Sequence, residues 1–399
     1  MHNIVILGGN WAGVSTAHYL LRHVLPLLRN EKSQYTVTLV SPSTQTFFNV
    51  GAPRALVSEK VANAKPFASI LDAFSEYKSS EFTFIQGEAV GVDGSAKTVS
   101  LKSVVTSDRQ LIRYDSLVIA TGSTSASPLW TLHGDHKVTL AAFQDIKTSL
   151  PSAKTILIAG GGPSGVETAG EIAYLYRNKD ITLLSGGMRL LPRFQNDKPG
   201  KKAEQQLASL NVRILHNVRV TSSNTAQGDE VLVVLSDGTA RTVDMFIDAT
   251  GGAPNTSFLP TAWLDGSKRV ATDMGTLRST KAPAGVYAIG DAASYSKGTV
   301  PDATWAVPAL GYSIWSDLHR AATKDGSLKE DTVGMATLKE KKYKQFEKDM
   351  GIVPVGPEGG VGVLFGWSVP SFLVWLLKAR TFTLDKAAGL ANGSDFLKP

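Results

Sequence analysis

Thr155-Ile156-Leu157-Ile158-Ala159-Gly160-Gly161-Gly162-Pro163-Ser164-Gly165-Val166-Glu167 runs from a short β-branched stretch through a glycine turn into a helical pattern. A strand that ends in Gly-x-Gly-x-x-Gly and opens a helix reads as a dinucleotide-binding turn. Gly160 permits the tight turn, Gly162 lets the backbone approach a pyrophosphate, and Gly165 allows close helix–strand packing. The phosphates then face the helix start, where unpaired N–H groups and the helix dipole favour negative charge. The competing reading, a glycine turn that only packs a helix on a sheet, fits the flanking strand and helix less well.

Near the start of the chain a second turn, Gly8-Gly9-Asn10-Trp11-Ala12-Gly13, follows the buried-strand pattern Asn3-Ile4-Val5-Ile6-Leu7. Asn10 stands in place of the middle glycine and adds bulk where a phosphate would approach. Asparagine tolerates left-handed backbone geometry, which softens that cost. A helix is expected from about Ala12 to Leu28, with Pro26 near its end, and Tyr35 to Val40 completes a βαβ unit. Two such turns imply two nucleotide sites, most economically one for FAD and one for NADPH or NADH.

Between and beyond the turns, residues 81–119 read as short strands that end in Ser116-Leu117-Val118-Ile119-Ala120-Thr121-Gly122. The second cycle continues with a helix to about Arg177, a strand Asp180 to Leu184, and a hairpin-like pair near 218–225 and 230–236. Asp244 to Gly251 closes it, and Gly285 to Asp291 resumes the first unit. The expected architecture is α/β, with two Rossmann-like dinucleotide-binding domains and a small C-terminal piece. The NAD(P)H-binding domain (131–251) is inserted in the FAD-binding domain (1–130 and 252–330). The C-terminal piece spans 331–399.

The 399 residues contain 43% hydrophobic and 19% charged side chains, ordinary for a soluble globular chain. The net charge of +6 is spread out, with no basic stripe interleaved with aromatics, so no nucleic-acid partner is expected. There is no cysteine. That excludes disulfides, thiolate zinc sites and iron–sulfur ligation, and no metal site is expected. A flavin in this chain must therefore hand its electrons directly to an acceptor. The N-terminus carries no basic leader before an apolar core and does not read as a secretory signal. His2 stands where N-myristoylation would need glycine.

Neither second strand ends in the acid that usually holds a ribose 2′-hydroxyl, since Ser41 and Ser185 occupy those places. With Arg189 four residues beyond Ser185, NADPH is expected to be accepted at least as well as NADH. Arg189 as a solvated surface charge is the other reading. Glu167 also has two. Ser164-Gly165-Val166-Glu167 matches a capping box, and a carboxylate in that first turn also faces the cleft where nicotinamide would meet flavin. The apolar run Val361 to Leu377 contains Trp367, Pro370, Phe372 and Trp375 and is followed by Lys378 and Arg380. It is close to the lower limit for a membrane span and is broken by Pro370. It is either a buried packing segment or a surface that rests on a bilayer.

Gly8 to Gly13, Ala120-Thr121-Gly122, Gly160 to Glu167, Ala249-Thr250-Gly251 and Gly290-Asp291 together resemble the two-dinucleotide-binding flavoprotein superfamily, over nearly residues 1–320. A narrower resemblance lies in Phe48-Asn49-Val50-Gly51-Ala52-Pro53-Arg54-Ala55, in Gly165 to Ile172, and in the piece ending near Lys378-Ala379-Arg380. These segments are similar to the apoptosis-inducing-factor-homologous, mitochondrion-associated group, which includes ferroptosis suppressor protein and many fungal relatives. Type II NADH:quinone dehydrogenases are more distantly similar. The resemblance implies FAD, oxidation of NAD(P)H, and reduction of quinones at a membrane-facing C-terminal region.

Under that resemblance Gly8, Gly9 and Gly13 hold the FAD pyrophosphate, Arg54 lies near the flavin, Thr121 and Gly122 line FAD, and Asp291 binds its ribityl or pyrophosphate part. Asn10, Ala12, Ser41, Val90 and Gly290 complete the FAD set. The helix start after Pro301, at Ala306 and Val307, would stabilise negative charge on the reduced ring. Gly160, Gly162, Pro163, Ser164, Gly165, Ser185, Arg189 and Gly251 form the NAD(P)H set. Glu167 matches a cleft glutamate and Lys378 a lysine that approaches the flavin, so these two are the candidate catalytic residues, expected as an ion pair. Hydride would pass from NAD(P)H to flavin N5, and electrons then to a quinone. The rival expectations are a reductase of a soluble aromatic metabolite or electron-transfer protein, and a slowly turning redox sensor. The expected location is cytoplasmic or peripheral on a membrane (mitochondrial outer surface or lipid droplet) through residues 361–380.

Overall fold

Ile4 to Leu7 are apolar without interruption because their strand is covered on both faces. The computed structural model describes residues 1–28, 34–57, 66–226, 230–324 and 338–399. The first sheet has seven strands in the order Val286–Ala288, Ser116–Ile119, His2–Leu7, Tyr35–Ser41, Phe82–Asp93, Thr98–Ser103 and Arg109–Arg113. The first five are parallel neighbours, and the last two continue as an antiparallel meander. Helix α1 (Trp11–Tyr19) crosses from the first glycine turn and continues through a π turn, Leu20–Val24, to Leu25–Leu28. Pro26 has no N–H to offer the carbonyl one turn back, and the helix widens just before it. A short helix α2 (Ala52–Val57) follows the turn Asn49–Gly51.

The chain leaves the first sheet after Ile119 and returns to it at Val286. Where it crosses, Ser123–Thr124 pairs antiparallel with Ala253–Pro254. The intervening chain builds a four-stranded parallel sheet in the order Val212–His216, Asp180–Ser185, Thr155–Ala159, Met245–Asp248. Helix α3 (Pro163–Leu175) follows its glycine turn. The expected hairpin is a three-stranded meander, Val220–Thr225, Val231–Leu235 and Ala240–Val243. The third strand escapes a sequence reading because it is only four residues long and half of them are polar. Leu157, Leu184, Val233, Leu235 and Val243 form the small core between meander and sheet.

Helix α4 (Val307–Lys324) buries Val307, Leu310 and Ile314 in the core under the first sheet. The expected boundary at 331 lies outside the described residues. Beyond it, Gly351–Pro354, Gly360–Leu364 and Trp367–Ser368 form a small antiparallel sheet, followed by a helical turn Ser371–Val374 and a π turn Trp375–Ala379.

The final segment folds back on α1. His18 Nε2 lies 2.9 Å from the Ala391 oxygen, Arg22 donates to the Gly393 and Asn392 oxygens, and His23 lies 2.6 Å from the Phe396 oxygen. A carbonyl only accepts, so His18 Nε2 carries the proton, and Nδ1 accepts from Tyr77 Oη at 2.9 Å. His18 is fully buried and stacked on Phe74 at 4.0 Å, and that burial pulls its pKa down to about 4.

Candidate functional site

The two glycine turns use the same contacts. A Cβ on Gly8 would lie 2.2 Å from the Ala120 carbonyl oxygen, and one on Gly160 would lie 2.4 Å from that of Ala249. A Cβ on Gly13 would lie 1.8 Å from the Gly8 oxygen, and one on Gly165 would lie 1.9 Å from the Gly160 oxygen. Each pair lets a helix start directly on the end of its strand. Asn10 is the exception in sequence but not in shape. Its φ of −119° and ψ of −159° match the extended Gly162 (−81°, −177°), so the left-handed geometry weighed for it is not used. Its Oδ1 accepts from the Phe47 N–H at 3.0 Å.

A cavity of about 390 Å³ opens along the first turn. Of the expected residues, Gly8, Gly9, Asn10, Ala12, Ser41, Thr121, Gly122, Gly290 and Asp291 line it. Gly13 does not, because it packs beneath Gly8. Val90 does not either. The wall there is Gly87, Glu88 and Ala89, and the Val90 side chain is exposed one residue further along the strand. Ala306 and Val307 are fully buried at the head of α4, and the nearby wall is Gly298, Thr299, Val300 and Ala303. Sequence reasoning missed Trp11, an aromatic inside the turn itself, and Asn255, whose amide donates to the Thr121 carbonyl at 2.9 Å. Trp11 packs on Phe48 at 4.9 Å, and its buried Nε1 has no hydrogen-bond partner.

Arg54 is not part of this cavity. Its guanidinium makes a two-pronged ion pair with Glu171, donates to the Ala379 oxygen at 2.9 Å and lies 4.8 Å over the Phe382 ring. One turn earlier on α3, Glu167 Oε1 accepts from Lys378 Nζ at 2.5 Å. The ion pair expected from the sequence is therefore present, next to a second one that was not foreseen. The capping-box reading of Glu167 falls away, since α3 begins at Gly162 and Pro163 with no side-chain cap. Both glutamates are 3% exposed. Burial pushes the Glu167 carboxyl up to about 7, Lys378 pulls against that rise, and Glu171 adds repulsion. Burial raises Glu171 too, and Arg54 opposes it. Two acids four residues apart on an otherwise apolar helix face are the sequence signal that would have exposed Glu171.

At the second turn Gly162, Pro163, Ser164 and Gly165 form the first turn of α3, and Gly251 lies exposed just beyond the Ala249 carbonyl that abuts Gly160. Ser185 packs under this turn, with its Cβ 3.0 Å from where a Gly161 Cβ would be. Arg189 turns away, donating to the Pro192 and Phe194 carbonyls.

The apolar run splits into two parts. Val361 and Val363 are buried in the small sheet, whereas Phe365, Trp367, Phe372, Trp375, Leu376 and Leu377 are exposed, Trp367 at 76% and Phe372 at 68%. Arg380 lies 5.8 Å over Trp375. Among the described residues no helix is long and apolar enough to cross a membrane.

Residues 2–309 match the family described as pyridine nucleotide-disulphide oxidoreductase. The chain belongs to that family. Oxidoreductase phnG of Penicillium herquei is 37% identical over 99% of this chain and 97% of its own length. Ferroptosis suppressor protein 1 of Xenopus tropicalis is 27% identical over 96% and 94%. The solved structure of NDH2 from Plasmodium falciparum in complex with NADH shares the fold across the whole of both chains, with a TM-score of 0.64 and 17% identity.

Family membership implies FAD beside the pyridine nucleotide, and the residues present fit both. The first turn runs along a cavity of the size that encloses small molecules, and Gly8, Gly9, Gly122 and Gly290 give that wall bare backbone. At the second turn a Cβ on Gly162 would meet nothing within 4 Å, and α3 starts there with no side-chain cap, which leaves the helix start open to a phosphate. The family's disulphide chemistry has no counterpart in a chain without cysteine.

Proposed function

We propose that the chain oxidises NAD(P)H with FAD and delivers the electrons to a quinone-type acceptor that arrives at the C-terminal surface. The observation that carries this reading is the Glu167–Lys378 pair. It joins the helix of the second glycine turn to the segment bearing the exposed aromatics. FAD, when bound, supplies the chemistry of taking hydride from a nicotinamide and releasing electrons to an acceptor.

The chain's own residues bind, orient and hold protons. Gly8, Gly9, Trp11, Thr121, Gly122 and Asp291 would hold FAD along the first cavity. The Gly160 turn and the start of α3 would hold the NAD(P)H pyrophosphate. Glu167, with a carboxyl that titrates near neutrality, can keep or release a proton at Oε1, and Lys378 Nζ is positioned to exchange it. Arg54 and Glu171 hold α2, α3 and the C-terminal π turn in one register around that pair.

The exposed aromatics with Arg380 at their edge match a surface that rests on lipid, from which a hydrophobic acceptor would be drawn. Anaerobic stopped-flow reduction by NADPH and by NADH, followed by mixing with a short-chain ubiquinone or with air, tests the reading. Fast reoxidation by the quinone alone supports it. Rapid reduction with slow reoxidation by every quinone would move the search to a protein or soluble aromatic acceptor. Co-sedimentation with anionic vesicles, weakened by Trp367→Ser with Phe372→Ser, tests the surface.

A further inference from the structure

The strand Asp180–Ser185 ends beside the second glycine turn, where the adenosine ribose of a dinucleotide is received in this architecture. An acid at that point favours a free 2′-hydroxyl, and an arginine accommodates a 2′-phosphate. Ser185 is neutral, and its Oγ lies 2.9 Å from the carbonyl oxygens of Gly187 and Arg189. Arg189 is engaged with the carbonyls of its own loop, and Arg193 with those of Lys297 and Gly298. We propose that Arg219 is the residue that recognises the 2′-phosphate of NADPH and sets the preference of this chain for it over NADH. The inference rests on the second turn being the NAD(P)H site.

Arg219 comes from the next strand over. Val212–His216 pairs parallel with Asp180–Ser185 on the side away from the glycine turn, and Arg219 follows three residues after its end. Its Nε donates to the Gly186 oxygen at 2.9 Å. Its side chain lies across Gly186, where a Cβ would come within 3.1 Å of Arg219 Cγ and Nε. A side chain at 186 would crowd the arginine, and glycine leaves it room on this loop. With Nε anchored, the two Nη groups make no hydrogen bond or ion pair among the described residues, and the side chain is exposed. A guanidinium fixed at one edge, with its other donors directed to solvent, is arranged to take a phosphate by two parallel hydrogen bonds. The sequence hid this residue because it is 34 positions beyond Ser185 and only the sheet order brings the two together.

Calorimetric titration of the flavin-loaded protein with adenosine 2′,5′-bisphosphate and with 5′-AMP tests the assignment without turnover. The wild type should bind the bisphosphate roughly tenfold more tightly than 5′-AMP. Arg219→Ala should abolish that difference, weakening the bisphosphate ~tenfold while changing 5′-AMP less than ~twofold. Arg219→Lys should retain part of it, and the kcat/KM ratio for NADPH over NADH should fall in parallel. Arg189→Ala should shift both ligands alike. A bisphosphate preference that survives Arg219→Ala, or no preference in the wild type, overturns the assignment and leaves the nucleotide site standing. Failure of the wild type to bind either probe would overturn the second turn as a nucleotide site, and the assignment with it.

Discussion

Lys378 and Glu167 are 211 positions apart and meet at 2.5 Å in a place where each would be costly alone. Lys378→Ala is expected to leave FAD bound and to lower turnover by about tenfold or more, about 1.4 kcal/mol of lost transition-state stabilisation. The flavin spectrum and stopped-flow rates check both halves, and unchanged turnover would remove Lys378 from the mechanism. The raised Glu167 carboxyl gives a second expectation. Turnover should show an inflection near pH 7, and Lys378→Ala should move it upward, because the cation that holds the carboxyl down is gone. The stability sign runs the other way from the usual carboxylate. A folded-state value above 4.5 means the native protein binds the extra proton, so this contribution is complete below about pH 4.5 and is lost as pH rises through about 7. Both members of the pair were legible in the sequence. The neighbouring Arg54 and Glu171 were not read as a pair, because the motif that contained Arg54 drew it toward the flavin.

Helix α3 carries the second glycine turn at one end and two buried acids on one face, so its position depends on cations from elsewhere in the chain. Arg54→Met alone should cost about 3–5 kcal/mol, since it leaves Glu171 buried without its counter-ion. Adding Glu171→Gln should recover most of that loss, and urea unfolding of the single and double variants measures it. A double variant no more stable than the single would mean that Arg54 acts mainly through Ala379 and Phe382. At this scale the glycine turns and central strands were readable because hard constraints write them. A Cβ cannot stand 1.8 Å from an oxygen, and a strand covered on both faces cannot carry charge. The strand Ala240–Val243 and the division of the apolar run between a buried strand and an exposed helical end were not readable. Short elements draw their form from what they pack against, which local pattern does not record.

Across the whole molecule, the last residues are fastened to the first helix by His18, Arg22 and His23. His18 is held neutral, with a pKa near 4 against an ordinary 6.5. The unfolded chain therefore takes up the proton first. Stability from this group is complete above about pH 6.5 and falls on acidification to about pH 4, by a few kcal/mol. Thermal melts across that range should show the loss, and His18→Phe should flatten it; an unchanged pH slope in that variant would assign the titration elsewhere. The same fastening sets an order of events during synthesis. A ribosome releases α1 early, at roughly 5–20 residues per second, yet the carbonyls that its outer face needs belong to Ala391, Asn392, Gly393 and Phe396. For most of translation that face is without its cover, and a protease added to chains arrested before residue 391 should find α1 far more readily than in the finished protein.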